Sequence, residues 1–424
     1  MNSSPQPIDV TNWKPRFFAI WGGQAVSLVG SALTQFVLVW WVTQHTGSAG
    51  ALATAGVMSM LPVALFSPLG GAVADRFSRR LIMILSDAIT AACMLVLILL
   101  FAAGSIQLWH IYSLMAVRAI MHAFQRPAAA ASTANLVPAD WLQRVAGMNQ
   151  ALEGLMTIAA APLGALALAV LPTQGALSID LVTALLGILP LFFFKIPQPK
   201  PQARAGQPSL LHDMLEGARY VLHRRGLLVL YSLTGLVVLT VMPCFVLTPL
   251  LVTGYFQGGV RQVAVMEAFA GVGIILGGLL LGVWKIPLHR VALIMISFAI
   301  SCGTVALTAL APPGMFYLAV FWWFVSGFSY STGNAPMFAL LQAVIPNEMQ
   351  GRTLALLSMV FGIAGPMGMA LAGPIGETLG VRMVFILGGA VSAVLNLAAL
   401  LFPSLWNLER DTMAERAAAA LSAD

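Results

Sequence analysis

The sequence predicts an all-α membrane protein of twelve transmembrane helices arranged as two pseudo-symmetric six-helix bundles. Three observations carry this reading. Of 424 residues, 59% are hydrophobic and only 8% charged, with a mean hydropathy of +0.90, too little polar surface for a water-soluble globule of this length. Apolar runs of about twenty residues, long enough to cross a bilayer, recur near 17–43, 50–72, 81–103, 108–128, 145–171 and 175–195, and after a polar break near 227–252, 263–284, 290–311, 314–337, 353–376 and 381–403. Motifs of the first half also return in the second at nearly constant offset, as a parallel duplication of six-helix units requires.

The runs are helices and not barrel strands because they are uniformly apolar, whereas barrel strands alternate faces over roughly ten residues. With the N-terminus in the cytoplasm, eighteen of the 21 basic residues fall on the cytoplasmic side, Lys14, Arg76, Arg79, Arg80, Arg144, Arg225 and Arg352 among them. Arg261 and Arg382 lie outside and Arg118 is buried. This asymmetry follows the preference of basic loops for the cytoplasm, so both termini are expected there. The net charge of +6 reports orientation and not nucleic-acid binding, since no basic face gathers in a soluble domain. The segment before the first run, with Pro5, Pro7 and Asp9, has no cleavable signal pattern, so that run is expected to be retained as a span. Cys93, Cys244 and Cys302 lie in three separate runs without metal-ligand spacing and read as small packing residues.

The expected organisation is a bundle over 1–195, a cytoplasmic linker over 196–226, a second bundle over 227–403 and a cytoplasmic tail over 404–424. Within the linker, Leu211, Leu215, Ala218 and Leu222 recur at helical spacing after Ser209, which predicts an amphipathic helix capped by that serine. The internal repeat pairs Gly70-Gly71-Ala72-Val73-Ala74-Asp75 with Gly277-Gly278-Leu279-Leu280-Leu281-Gly282, and Val137-Pro138 through Arg144 with Ile345-Pro346 through Arg352. Pro127 and Pro336, at the ends of spans four and ten, repeat at nearly the same distance.

Between spans two and three stands Gly71-x-x-x-Asp75-Arg76-x-x-Arg79-Arg80. This pattern resembles the signature loop of the major facilitator superfamily. The blocks Asn12-Trp13-Lys14, Trp21 to Leu28 and Thr46 to Ala49, with the Pro346 to Arg352 loop, are similar to the macrolide-efflux branch of bacterial drug exporters. The resemblance spans nearly the whole chain. It implies the major facilitator fold, alternating access between two bundles in a bacterial inner membrane, a proton gradient as energy source with no cofactor, and a cytoplasmic gate in which Asp75 and the arginines latch the halves. Small residues at Gly70, Gly71, Ala72 and Ala74 suit close helix approach. In a purely structural reading the same arginines only anchor the spans at the interface. Ser78 stands where the family pattern has a glycine, and in span five Ala161-Pro162-Leu163-Gly164 keeps only part of the antiporter motif.

Candidate pathway residues follow from polar side chains in apolar helices, since a polar stripe facing lipid is costly. Span one carries Gln24, Ser27, Ser31 and Thr34 along one face. Span four carries Arg118, His122 and Gln125 or Arg126 at helical spacing. A charge as deep as Arg118 calls for a carboxylate partner, which is either a coupling device or a static ion pair. Five acids fall within spans: Asp87, Glu153, Asp180, Glu267 and Glu377. Counted from the loops at about 1.5 Å per residue, Glu153 is deepest, Asp87 lies about a third in from the cytoplasm, and the others lie nearer the outer surface. Depth in lipid and a neighbouring guanidinium act on a carboxyl in opposite directions, which suits proton exchange. The expected coupling group is therefore Glu153 first and Asp87 second, with Arg118 as modulator and His122 as relay.

By symmetry, spans seven and ten complete a cavity with Met242, Phe245, Trp323, Ser326, Tyr330 and Asn334, suited to a bulky amphiphile. Trp40, Trp41 and Trp406 read as interface anchors. No Gly-x-x-x-x-Gly-Lys-Ser/Thr loop, Gly-x-Ser-x-Gly elbow or His-Glu-x-x-His pair occurs, which argues against an ATP-driven pump and against a membrane enzyme. The expected partners are a small amphiphilic substrate and the lipid bilayer, without nucleic acid, and the expected state is a monomer. The function reads as proton-coupled export of lipophilic drugs such as macrolides; the alternatives are export of a siderophore or lipid-like metabolite, or import, on the same fold.

Overall fold

A computed structural model describes residues 13–194, 196, 210–284, 286–408 and 410. Twelve long helices account for nearly all of them: α1 Trp13–Thr46, α2 Ala49–Arg76, α3 Arg79–Ala102, α4 Leu108–Leu136, α5 Ala139–Val170 and α6 Thr173–Phe193, then, after the linker helix α7 Leu210–His223, α8 Arg225–Leu250, α9 Val260–Val283, α10 Arg290–Leu310, α11 Phe316–Val344, α12 Asn347–Thr378 and α13 Val381–Ala399. A short helix, α14 Pro403–Trp406, follows. The chain is an all-helical membrane protein. Ten of the long helices are apolar enough to cross a bilayer by composition. The other two are α4 and α11, two of the four spans read from sequence as lining the pathway.

Most helices outrun their apolar runs, because intrahelical hydrogen bonding continues past the lipid-embedded part until a cap or proline stops it. Ser78 provides one such stop: its side chain accepts the Leu81 N–H at the start of α3, a reason for a hydroxyl where the family pattern has glycine. At the start of α1, Trp13 packs edge-on against Trp141, ring centroids 4.9 Å apart, with Lys14 and Arg144 over the Trp141 ring. α8 contains two prolines, Pro243 and Pro249. Pro249 lies just before a π-helical turn, Leu251–Tyr255, where a missing N–H is readily absorbed.

The described residues form two compact units, those within 1–46 and 58–203 and those within 47–57 and 204–424. In the first, α1 packs on α5 and α6, and α3 on α4 and α6; in the second, α8 packs on α12 and α13, and α10 on α11 and α13. The same pairing in the same chain order is the duplication made physical. The repeated glycines perform the same task in both copies: a Cβ at Gly70 would strike the Ala123 carbonyl of α4, and one at Gly277 the Phe328 carbonyl of α11. The first turns of α2 belong to the second unit, where Gly50 and Gly56 lie against Glu377 and Met369 of α12.

The linker helix is present, but its apolar stripe faces differently from the expectation. Leu215 and Leu222 are exposed, while Val221 is buried and Gly217 lies directly on the backbone of Arg352. The helix is docked through its smallest residue, with Glu216 paired to Arg352 at 2.6 Å. Ser209, the expected cap, and the side chain of Leu211 lie outside the described residues, as do the linker prolines Pro197, Pro199 and Pro201. The three cysteines are buried and free. Trp40 is buried at 6% exposure, so it is a packing residue and not an interface anchor; Trp41 stacks on His45 instead.

Candidate functional site

The first unit holds three in-span carboxyls, each with a different kind of partner. Asp87 on α3 is buried and bonded by two amides: Gln24 Nε2 of α1 donates to one oxygen at 2.9 Å and Gln125 Nε2 of α4 to the other. Gln125 Nε2 also donates to Gln24 Oε1 at 2.8 Å, and Gln24 reaches the Gly187 carbonyl of α6. Asp87 is in no ion pair with any described residue.

Asp180 on α6, fully buried, takes Arg118 Nη2 at 3.0 Å and Ser31 Oγ at 3.2 Å. A glycine allows this meeting, since a Cβ at Gly30 would strike Thr183 Oγ1 of the facing helix. Glu153 on α5 pairs with Arg126 at 2.6 Å, both side chains about half exposed. His122 is exposed one turn from Arg118 and Arg126 and has Glu153 as a further electrostatic neighbour. Charged side chains this far along membrane helices are costly against lipid and call for a polar surrounding.

The deep arginine thus has its carboxylate, but neither coupling candidate supplies it. α4 begins at Leu108, as its apolar run does, and α6 at Thr173, two residues before its run, so Arg118 lies about 15 Å from the N-terminal end of its helix and Asp180 about 10 Å from that of its own.

The α1 stripe is brought together as expected on one face, but it is spent on packing and hydrogen bonds within the unit. Ser27 is buried against Gly187, Ser31 holds Asp180, and Thr34 is fully buried with no partner for its Oγ1 among the described residues. In the second unit Trp323 is fully buried between Phe245 and Phe385, at 5.2 and 6.1 Å between ring centroids. Ser326 faces α10 and not a pathway, exchanging hydrogen bonds with Ser301, and Thr332 Oγ1 donates to Ser297 Oγ on the same helix. Phe245 and Tyr330 are exposed; Met242 and Asn334 are half-buried. Symmetry identified the helix, while the alternation of its polar groups between neighbour and cavity required coordinates.

The signature loop also differs from its expectation. Asp75 and Arg76 are exposed, and no ion pair joins Asp75 to Arg76, Arg79 or Arg80. Instead Arg79 Nη1 donates to the Ala131 carbonyl of α4 at 2.8 Å, and Arg80 donates to the Leu191 and Phe192 carbonyls at the end of α6. A cation at a helix C-terminus satisfies orphan carbonyls and complements the helix dipole. Gly71 has open space where a Cβ would be; Gly70 is the glycine that packing requires.

The remaining two acids differ from each other. Glu377 Oε1 accepts from Ser48 Oγ at 2.8 Å and from Gly50 N–H at 3.2 Å, at the N-terminus of α2. Glu267, half-buried on α9, has no hydrogen-bond or ion-pair partner among the described residues. No group of side chains suited to a metal ion occurs among the described residues.

Two helical units with matching packing, apolar spans and enclosed carboxyl groups define a membrane transporter. The family model for the Major Facilitator Superfamily matches residues 20–369 and 239–420, and the chain belongs to that superfamily. It is similar to Macrolide efflux protein A of Streptococcus pyogenes, 31% identical over 90% of this chain and 94% of that protein. It also resembles the multidrug efflux pump Tap of Mycolicibacterium fortuitum, 26% identical over 90% of this chain and 94% of the pump. Among solved structures it shares its fold with the POT family transporter PepTSo, TM-score 0.70 at 11% identity, covering 94% of this chain and 99% of that one. A bacterial homolog of the human lysosomal transporter Spinster gives 0.68 at 14%, covering 97% and 99%.

Proposed function

We propose that this transporter is a proton-coupled exporter of lipophilic drugs of the macrolide type in a bacterial inner membrane, with both termini cytoplasmic, and that Asp87 carries the coupled proton. The observation that carries the coupling role is the set of partners around Asp87. An amide offers both a donor and an acceptor, so Gln24 and Gln125 can bond the carboxylate and, after rotation, the neutral acid. No buried cation is stranded when the proton arrives. Asp180 lacks this freedom, because its protonation would leave Arg118 buried and unpaired, which costs several kcal/mol. Glu153 ranks behind Asp87 because its pairing with Arg126 is exposed and weak.

Asp87 also ties three helices of the first unit together. Its partners come from α1 and α4, so a change in its charge is felt by both at once. The similarity to Macrolide efflux protein A supports the substrate class, and the modest number of enclosed charges supports a lipophilic cargo over a sugar.

The test is accumulation of a labelled macrolide in cells expressing the protein, with and without a protonophore, beside Asp87→Asn. Low accumulation that rises with the protonophore in wild type, and equally high accumulation in the variant, is expected. Wild-type cells that accumulate as much drug as cells lacking the protein would overturn the substrate class. Full gradient-driven export by Asp87→Asn would overturn the coupling role.

A further inference from the structure

The linker helix α7 docks through one side and leaves a second apolar side uncovered. Gly217 and Val221, one turn apart, form the docked side: a Cβ at Gly217 would lie 3.1 Å from the Arg352 carbonyl of α12, and Val221 is 3% exposed. Leu215 and Leu222 are 61% and 60% exposed, and Arg219 between them is exposed as well. Spaced at i, i+4 and i+7, these three share one face of the helix. Glu216 is engaged by Arg352 at 2.6 Å.

Two attachments set the level of α7. A single residue, Arg224, separates it from α8, whose apolar span begins at Arg225, and Gly217 rests on Arg352 in the second turn of α12, another span. The helix therefore lies beside the ends of two spans, at the depth of lipid headgroups. Arg225 is exposed there, and Leu228, one turn into α8, is 37% exposed, so leucines and arginines on α7 lead directly into the wall of a membrane span. A helix with leucines and basic residues on its free side is suited to the boundary between headgroups and acyl chains, and arginines at that level are drawn to anionic phospholipid.

We propose that the face of α7 formed by Leu215, Arg219 and Leu222 docks on the anionic surface of the inner leaflet, the leucines entering the acyl boundary and Arg219 and Arg225 meeting lipid phosphates. The inference goes beyond the export reading and takes from it the cytoplasmic placement of the linker. A bilayer that holds α7 also holds the start of α12, through Gly217 and the pairing of Glu216 with Arg352.

The test places an environment-sensitive NBD label on Leu222→Cys in lipid nanodiscs of phosphatidylcholine, with or without phosphatidylglycerol. The native cysteines Cys93, Cys244 and Cys302 are buried, and wild type treated alike gives the background. With phosphatidylglycerol the label should be quenched by lipid spin-labelled near the headgroup and shielded from acrylamide. Arg219→Gln should lower the ratio of embedded to water-exposed label about fivefold, the contribution of one basic residue at an anionic surface. Leu215→Ser should lower it too, and neither variant should change the melting temperature, which separates loss of lipid contact from misfolding. A label open to acrylamide in both discs, or embedding that is equal in both and indifferent to Arg219→Gln, would overturn the proposal. Shielding that appears only when two copies share a disc would assign the face to a second copy and overturn it as well. The readout involves no transport and both sides of a nanodisc admit quencher, so it is independent of whether wild type exports a macrolide. Labelling of Leu222→Cys in spheroplasts by a membrane-impermeant maleimide would put α7 outside, and would overturn the inner-leaflet assignment together with the topology of the export reading.

Discussion

Arg118 and Asp180 form a buried ion pair, 3.0 Å apart with 11% and 0% side-chain exposure, that joins α4 to α6 inside the first unit. Arg126 and Glu153, two turns further along α4, form a shorter pair at 2.6 Å with 64% and 48% exposure. Distance alone would rank the second pair higher, but burial reverses the order, because a charge left alone in the interior loses far more than one left alone in water.

Arg118→Gln and Asp180→Asn should therefore each destabilise the protein by about 3–5 kcal/mol, and the double variant should be less destabilised than the sum. Thermal unfolding of the purified protein in detergent, analysed as a double-mutant cycle, measures this coupling. Additive effects would show that the pair contributes nothing beyond its separate packing.

Glu153→Gln should lose less than about 1 kcal/mol of stability and should retain gradient-driven transport. The same unfolding and accumulation measurements apply. A collapse of energised transport with normal folding would return the coupling role to Glu153.

Asp87→Asn should keep substrate exchange across the membrane in the absence of a proton gradient while losing accumulation against one. Counterflow in proteoliposomes separates the two. Loss of both would assign Asp87 to binding or folding.

Gly70→Ala places a methyl group against the Ala123 carbonyl of α4, and backbone cannot yield as a flexible side chain can, so a loss of roughly 1–3 kcal/mol is expected. Gly71→Ala meets open space and should leave stability unchanged. Comparing the two melting temperatures tests whether the signature loop's first glycines are packing residues.

Asp75→Asn should leave insertion and stability intact, since Asp75 is exposed with none of the loop arginines bound to it in this conformation, yet slow transport. Normal transport would show that Asp75 has no latching part in the cycle.

Much of the site was legible in the sequence as residue types on helices. Gln24, Ser31, Asp87, Arg118 and Gln125 stand out because a polar side chain in an apolar helix has to be accommodated somewhere. What did not follow was the pairing. Asp180 ranked low because its depth was counted from an apolar run that begins at 175, whereas α6 begins at Thr173. Ser297 and Ser301 carry no signal at all, since a serine in an apolar helix reads the same whether it bonds its neighbour or lines a cavity.

The sequence by itself determined the class, the twelve spans and the duplication, because bilayer thickness and the absence of water impose long apolar helices whatever their packing. The repeated glycines also declared themselves, since both copies must let a neighbouring backbone approach. Only the tertiary structure decided which carboxyl meets an arginine, which meets amides and which meets nothing. Those outcomes depend on the rotation and axial offset of helices distant in the chain, where a shift of one residue turns a side chain by about 100° and exchanges a buried partner for a wet cavity.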